Sequence, residues 1–340
     1  MRVTTRQAMA GWLDALCERY TVIAPQAIEG QVYYRPVAAS AEVLFDFQRT
    51  LLSAKTFFLP DTQVILEIEK QGNEVVLSEP ELEREQILWG VRPCDARSLR
   101  ALDALLLVRP PADAYYAERR AKTTLIGLAC PRRWDGCFCT GLGGAPDDAS
   151  DVDLMLYEGE GGYWISEVTD KGSALLQGLA VEERVGPPPA SDQTGERVPP
   201  LPPEAWGALF EDPLWQRLAD RCLSCHACTY ACPTCRCFDV RDETAAAGPG
   251  YAAIQRLRAW DSCMAAAYRR IAGGHNPRPE KSQRLRNRYY CKFCYSPLDF
   301  GAVACVGCGR CSAVCPAGVD VVEMLAAVAG LVTEKGGDDA

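Results

Sequence analysis

Long apolar runs are absent from this chain of 340 residues, so no segment is expected to span a bilayer. The opening MRVTTRQAMAGWLDALCERY also lacks the apolar core and small-residue cleavage site of a secretory signal, which points to the cytoplasm, where thiols stay reduced. Histidine is scarce. His226 and His275 are the whole supply, which offers little for general acid-base catalysis or nonheme iron. Basic charge is in deficit as well, and a formal net charge of −9 argues against general nucleic-acid binding, which needs a cationic footprint. Cysteine, by contrast, is plentiful at 18 residues, although too sparse over this length for a disulfide scaffold.

The cysteines are patterned. The phrase Cys-x-x-Cys-x-x-Cys-x-x-x-Cys-Pro occurs at 222, 225, 228 and 232 and again at 305, 308, 311 and 315. This is the ligand pattern of paired [4Fe-4S] clusters. Three closely spaced thiolates take three corners of one cubane, and the fourth, stiffened by Pro233 or Pro316, turns toward the neighbouring cubane. One cluster is then expected on Cys222, Cys225, Cys228 and Cys315, the other on Cys305, Cys308, Cys311 and Cys232. Two zinc ribbons also use Cys-x-x-Cys pairs, but give no reason for a third regular spacing followed by proline.

With 48% hydrophobic residues the chain can bury a sizeable core, and its length suggests two domains. The stretch from Gly186 to Pro203 is dense in proline and turn formers and reads as a linker. It separates an α/β domain over 1–185 from a mainly helical, ferredoxin-like domain over 204–335 that carries two clusters. Residues 6–19 read as an amphipathic helix with Met9, Trp12, Leu13 and Leu16 inward and Cys17 as a small core residue. Apolar runs at Val64–Ile68, Ile87–Val91 and Thr123–Ala129 read as buried strands. Helical pattern between the last two predicts a right-handed strand-helix-strand unit in a parallel sheet. In the second part, Ile254, Leu257, Met264, Tyr268 and Ile271 predict a helix that Gly273-Gly274 stops, and Asp320 is placed to cap a last helix. The closing GGDDA, 336–340, reads as an unstructured tail.

Parallel sheets gather the carboxyl ends of their strands on one edge, so Cys94 and Cys130 are expected to face each other, with Cys137 and Cys139 close by. Four thiols there would suit a third cubane, but equally zinc, or unlinked thiols beside a flavin or substrate pocket of an enzyme. The glycines of Gly141-Leu142-Gly143-Gly144 admit a phosphate site, without the usual spacing. Cys235, Cys237, Cys263, Cys291 and Cys294 are read as lining the cluster pockets or making a further metal site. Between Ile254 and Lys292 ten Arg or Lys stand against Asp261 and Glu280. They are either a solvated face or cations that offset cluster charge and attract an acidic partner.

Several phrases occur here in one order: Gly90-Val91-Arg92-Pro93-Cys94-Asp95-Ala96, Cys130-Pro131, Cys137-Phe138-Cys139, Cys235-Arg236-Cys237-Phe238-Asp239, Trp260-Asp261-Ser262-Cys263, Gly274-His275-Asn276-Pro277-Arg278 and Cys305-Val306-Gly307-Cys308-Gly309-Arg310-Cys311. From about residue 55 to 330 the chain resembles the beta subunits of sulfhydrogenases, the cytoplasmic nickel-iron hydrogenase/sulfur reductases, and the A-type subunits of anaerobic sulfite reductases. The resemblance implies an electron-transfer subunit without a catalytic metal of its own. A flavin/nicotinamide-binding subunit and a catalytic subunit handling hydrogen, sulfur or sulfite would be its partners. A heterodisulfide-reductase-type complex is a further setting. The resemblance also favours a cluster on Cys94, Cys130, Cys137 and Cys139. Cys291-Lys292-Phe293-Cys294 departs from the His-Lys-Phe expected there, which leaves Cys291 and Cys294 without an assigned role.

Overall fold

Every position of Gln86–Val91 and Thr123–Leu128 is buried, because each run lies inside a sheet with apolar elements over both faces. The computed structural model describes residues 1–337 apart from 83, 195–197 and 199–200. Its first sheet has eight strands in the order β10-β1-β9-β8-β7-β6-β2-β3. These are β1 (Arg2–Thr5), β2 (Thr21–Ile28), β3 (Gln31–Pro36), β6 (Gln86–Val91), β7 (Thr123–Leu128), β8 (Leu154–Gly159), β9 (Gly162–Glu167) and β10 (Glu182–Glu183). β2, β6, β7 and β8 run parallel and the outer strands antiparallel.

Strand alternation sends Ile87, Trp89, Ile126 and Leu128 to one face and Leu88, Val91 and Leu125 to the other. The first face is covered by helix α1 (Arg6–Arg19), which buries Met9, Trp12, Leu13 and Leu16 and begins where Thr5 Oγ1 accepts the Ala8 N–H. The second is covered by α2 (Pro93–Asp103) and α3 (Ala114–Ala121), the expected helical crossover between β6 and β7. A short α4 (Asp170–Leu175) follows β9.

The remaining strands form a second, antiparallel sheet, β11-β12-β4-β5, made of β4 (Thr62–Gln71), β5 (Glu74–Ser78), β11 (Phe238–Gly248) and β12 (Tyr251–Trp260). Two expectations fail here. Val64–Ile68 is a strand as expected, but a half-buried one in this antiparallel sheet rather than a buried one. The helix expected from Ile254 to Ile271 is instead strand β12 followed by turns, so the region after 204 combines helices with two long strands. Ladder bonds to β11 on one side and β4 on the other satisfy the β12 backbone, and that pairing outweighs local helical spacing. Gly248-Pro249-Gly250, the turn between β11 and β12, is the signal that separates the two strands. This sheet also joins residues from both sides of the 186–203 stretch, whose Val198 is buried against Phe138 and Trp206.

Short helices carry the rest: α5 (Leu214–Arg221), α6 (Ala227–Tyr230), α7 (Lys281–Tyr290), α8 (Ser296–Phe300), α9 (Arg310–Ala313) and α10 (Val321–Gly337). Asp320 caps α10, its carboxylate accepting from the Val322 and Glu323 N–H groups at 2.7 and 3.0 Å. Gly336 and Gly337, expected to open an unstructured tail, belong to α10, and Asp338 to Ala340 lie outside the described residues.

Candidate metal centres

The thiol loops surround three cavities. Cys222, Cys225, Cys228 and Cys315 line the first, so the last cysteine of the second motif stands among three of the first motif. Cys305, Cys308 and Cys311 line the middle cavity together with Cys232. Cys94, Cys130, Cys137 and Cys139 line the third. The strand ends explain this last grouping: Cys94 follows β6, Cys130 follows β7, and these neighbours pair in parallel register.

The three cavities form a row. Cys311 and Arg288 line both the first and the middle, and Cys308 lines both the middle and the third. Close backbone approach makes the second junction. Gly307, at φ +66°, accepts the Phe138 N–H at 2.7 Å, and a Cβ there would stand 2.5 Å from the Cys139 nitrogen. Arg49 ties the same junction, donating to the Cys308 carbonyl at 2.6 Å and reaching Cys137 Sγ at 3.7 Å.

Buried cations face these walls. Lys292 is 5% exposed and donates to Cys232 Sγ at 3.2 Å and to Thr234 Oγ1 at 2.8 Å. Arg288 is 2% exposed, gives one bond to the Cys228 carbonyl at 3.1 Å, and keeps its buried Nε without a hydrogen-bond partner. A buried guanidinium N–H left unpaired between two cavities calls for anionic content. Arg310 does not aim at a sulfur. It crosses to α2, where its guanidinium and the Asp95 carboxylate form two bonds of 2.7 Å with exposures of 1% and 0%. Of the ten basic residues between 254 and 292, Arg258, Arg284, Arg288 and Lys292 are therefore interior, while Arg269 and Arg270 are exposed. The segment is split: Arg288 and Lys292 line the middle cavity, while Arg269 and Arg270 face solvent.

Burial pushes the Cys305 and Cys308 thiols up to about 12 and the Cys130 thiol up to about 11. These three thiols favour the neutral form until a cation enters. Among the described residues, no three of His, Cys, Asp or Glu converge tightly enough for a single metal ion. All-thiol quartets spaced around cavities, with the unpaired Arg288 N–H between two of them, fit a cubane of iron and sulfide.

The other predicted residues fall elsewhere. Gly141 and Gly144 are filled against by Val198 and Arg97, which leaves no phosphate cradle. His226 lines the first cavity at φ +65°, and His275 accepts a turn bond through its carbonyl from Ile271. Cys294 points its thiol to the Pro203 carbonyl at 3.6 Å, outside the three walls. The buried Asp95 and the half-buried Arg49 escaped sequence reasoning, although Asp95 adjoins Cys94 in the chain.

Thiol loops of this kind define an iron-sulfur protein, and residues 221–319 match the family of the 4Fe-4S dicluster domain. Over 86% of this chain and 87% of the relative, the sequence is 33% identical to the sulfhydrogenase 2 subunit beta of Pyrococcus furiosus. The chain belongs to the sulfhydrogenase beta-subunit family. No solved structure matches it. Among the described residues no helix is long and apolar enough to cross a membrane.

Proposed function

We propose that this chain is a three-cluster electron relay within a multisubunit hydrogenase/sulfur reductase, passing single electrons between a flavin/nicotinamide-binding subunit and a catalytic subunit. One cubane sits on Cys222, Cys225, Cys228 and Cys315, one on Cys232, Cys305, Cys308 and Cys311, and one on Cys94, Cys130, Cys137 and Cys139. The observation that carries the reading is that each quartet has its own cavity and that neighbouring cavities share walls. A bound [4Fe-4S] cubane supplies one-electron exchange with little movement of its ligands.

The chain does the rest. Cys311 and Cys308, three residues apart in one loop, link the middle cavity to its two neighbours and keep them at contact distance. Lys292 and Arg288 offset thiolate and cluster charge where no water can, and so raise the tendency to accept an electron. The first cavity reaches the surface at exposed Leu223 and Cys225, the third beside the arginines 132 and 133. Those two ends are the sites of electron entry and exit.

Anaerobically purified protein tests this directly. Iron and acid-labile sulfide in equal amounts, sufficient for three cubanes, with a paramagnetic signal after dithionite, are expected. Cys94→Ala should remove one cluster's worth of iron and leave the remainder. Zinc without acid-labile sulfide would end the relay reading.

A further inference from the structure

Each sheet ends in two edge strands, and three of these four edges are guarded against pairing with another chain. β10 is only two residues long, and both are glutamate. β3 is covered where the Leu51 N–H donates to the Val32 carbonyl at 2.7 Å, and it ends at Arg35-Pro36. β11 carries Arg241, Asp242 and Glu243, with a register shift between Thr244 and Ala246. β5 has none of these devices. Its centre is Val75-Val76-Leu77, at 56, 59 and 62% exposure, with no lysine, proline or bulge between Glu74 and Ser78.

The strand is also held in place for pairing. Gly72-Asn73 joins it to β4 in a two-residue turn, with Gly72 at φ +61°. The Gly72 N–H donates to the Gly250 carbonyl at 2.7 Å, which fastens this hairpin to the β11-β12 turn. Cross-strand pairing sets Leu77 beside Ile68 and Ile68 beside Ile254, an apolar row that runs out to the free edge. Among the described strands none lies beyond β5. A strand laid against it extends this row and pairs the backbone groups of the open edge.

We propose that two copies of this chain pair through β5, antiparallel about a twofold axis at Val76, and so join two four-stranded sheets into one. Charge and apolar pattern along the strand select this occupant and this register. Val76 then meets Val76, Val75 meets Leu77, Glu74 meets Ser78, Asn73 meets Glu79 and Gln71 meets Glu81 of the other copy. Every apolar residue of the strand faces an apolar one, and no carboxylate faces another. A slip of one residue sets Glu74 against Glu79 in one direction and against Leu77 in the other. The row Ile254-Ile68-Leu77 continues into Val75 of the second copy. This pairing is independent of the relay reading, and it brings two sets of thiol cavities into one particle.

The test uses the full chain, purified anaerobically, in sedimentation and hydrogen exchange over a range of concentrations. A mass that rises to twice that of the chain is expected. The amides of β5 should exchange more slowly in concentrated than in dilute protein, while those of β11 stay unchanged. Val76→Lys sets two like charges at the axis and should leave monomers with the iron and sulfide of the parent, and Val76→Glu should do the same. Mixed together, the two variants should recover the doubled mass, because opposite charges then meet. That recovery separates lost pairing from lost folding. A single-chain mass at every concentration would overturn the proposal, as would a dimer that survives both substitutions or a mixture that stays monomeric. Protection of β5 that appears only when a different subunit is added would make that subunit the occupant and overturn it as well.

Discussion

Arg310 and Asp95 lie 215 positions apart, yet their side chains are 1% and 0% exposed and bonded twice. Arg310 also donates to the Thr50 carbonyl and hydroxyl at 2.9 and 3.1 Å, so its whole guanidinium edge is satisfied inside the protein. The energetic weight of such a pair shows when one partner goes. Asp95→Ala leaves the buried cation uncompensated and is expected to cost about 3–5 kcal/mol, read as a fall in the denaturant midpoint. An unchanged midpoint would mean that Arg310 finds another anion. Protonation of the thiols gives a second expectation. Burial holds Cys305 and Cys308 at about 12 and Cys130 at about 11, so the metal-free chain keeps these protons at neutral pH. Iron takes the thiolate and displaces them. Anaerobic reconstitution should accordingly release protons and proceed faster as pH rises toward those values, slower in mild acid. A rate that fell with rising pH would contradict this.

At the level of elements, one glycine and one strand matter more than composition announces. The loop carrying Gly307 lets its backbone press on the Cys137–Cys139 loop, and no side chain fits between. Gly307→Ala combines a left-handed φ with a clash against backbone, at an expected cost of about 1–3 kcal/mol for the conformation alone. Displacement of the loop should empty the Cys94 quartet first, and iron analysis would then show one cluster lost and the others kept. Strand β12 carries a helical signature in its sequence because Ile254, Leu257 and Met264 happen to sit at helical spacing. Partners on both sides decide the matter. Helix α1 and the β6-α2-β7 crossover are legible because period, cap and length all agree locally.

Across the whole molecule, the two halves are sewn together at the sites. The second sheet takes strands from both, Arg49 and Arg310 reach across, and Lys55 donates to the Cys235 carbonyl at 2.9 Å. Removing the metal should therefore be felt well beyond the ligand loops. Chelation or oxygen is expected to bleach the protein and to lower or broaden its thermal transition, because the quartets lose what holds their loops together. A sharp transition at the same temperature in the iron-free chain would show that the fold stands without its clusters.

The sequence alone determined that sulfur is grouped for iron, since motif spacing within a loop is local and survives without tertiary knowledge. It also determined the parallel strand pair at whose edge Cys94 and Cys130 meet, because apolar runs and an intervening helix have few other solutions. Only the tertiary structure decided that the three cavities stand in a row and that Arg310 seeks Asp95 rather than sulfur. Those outcomes depend on contacts between segments far apart in the chain, selected by burial and by pairing of charge, and no local pattern records them.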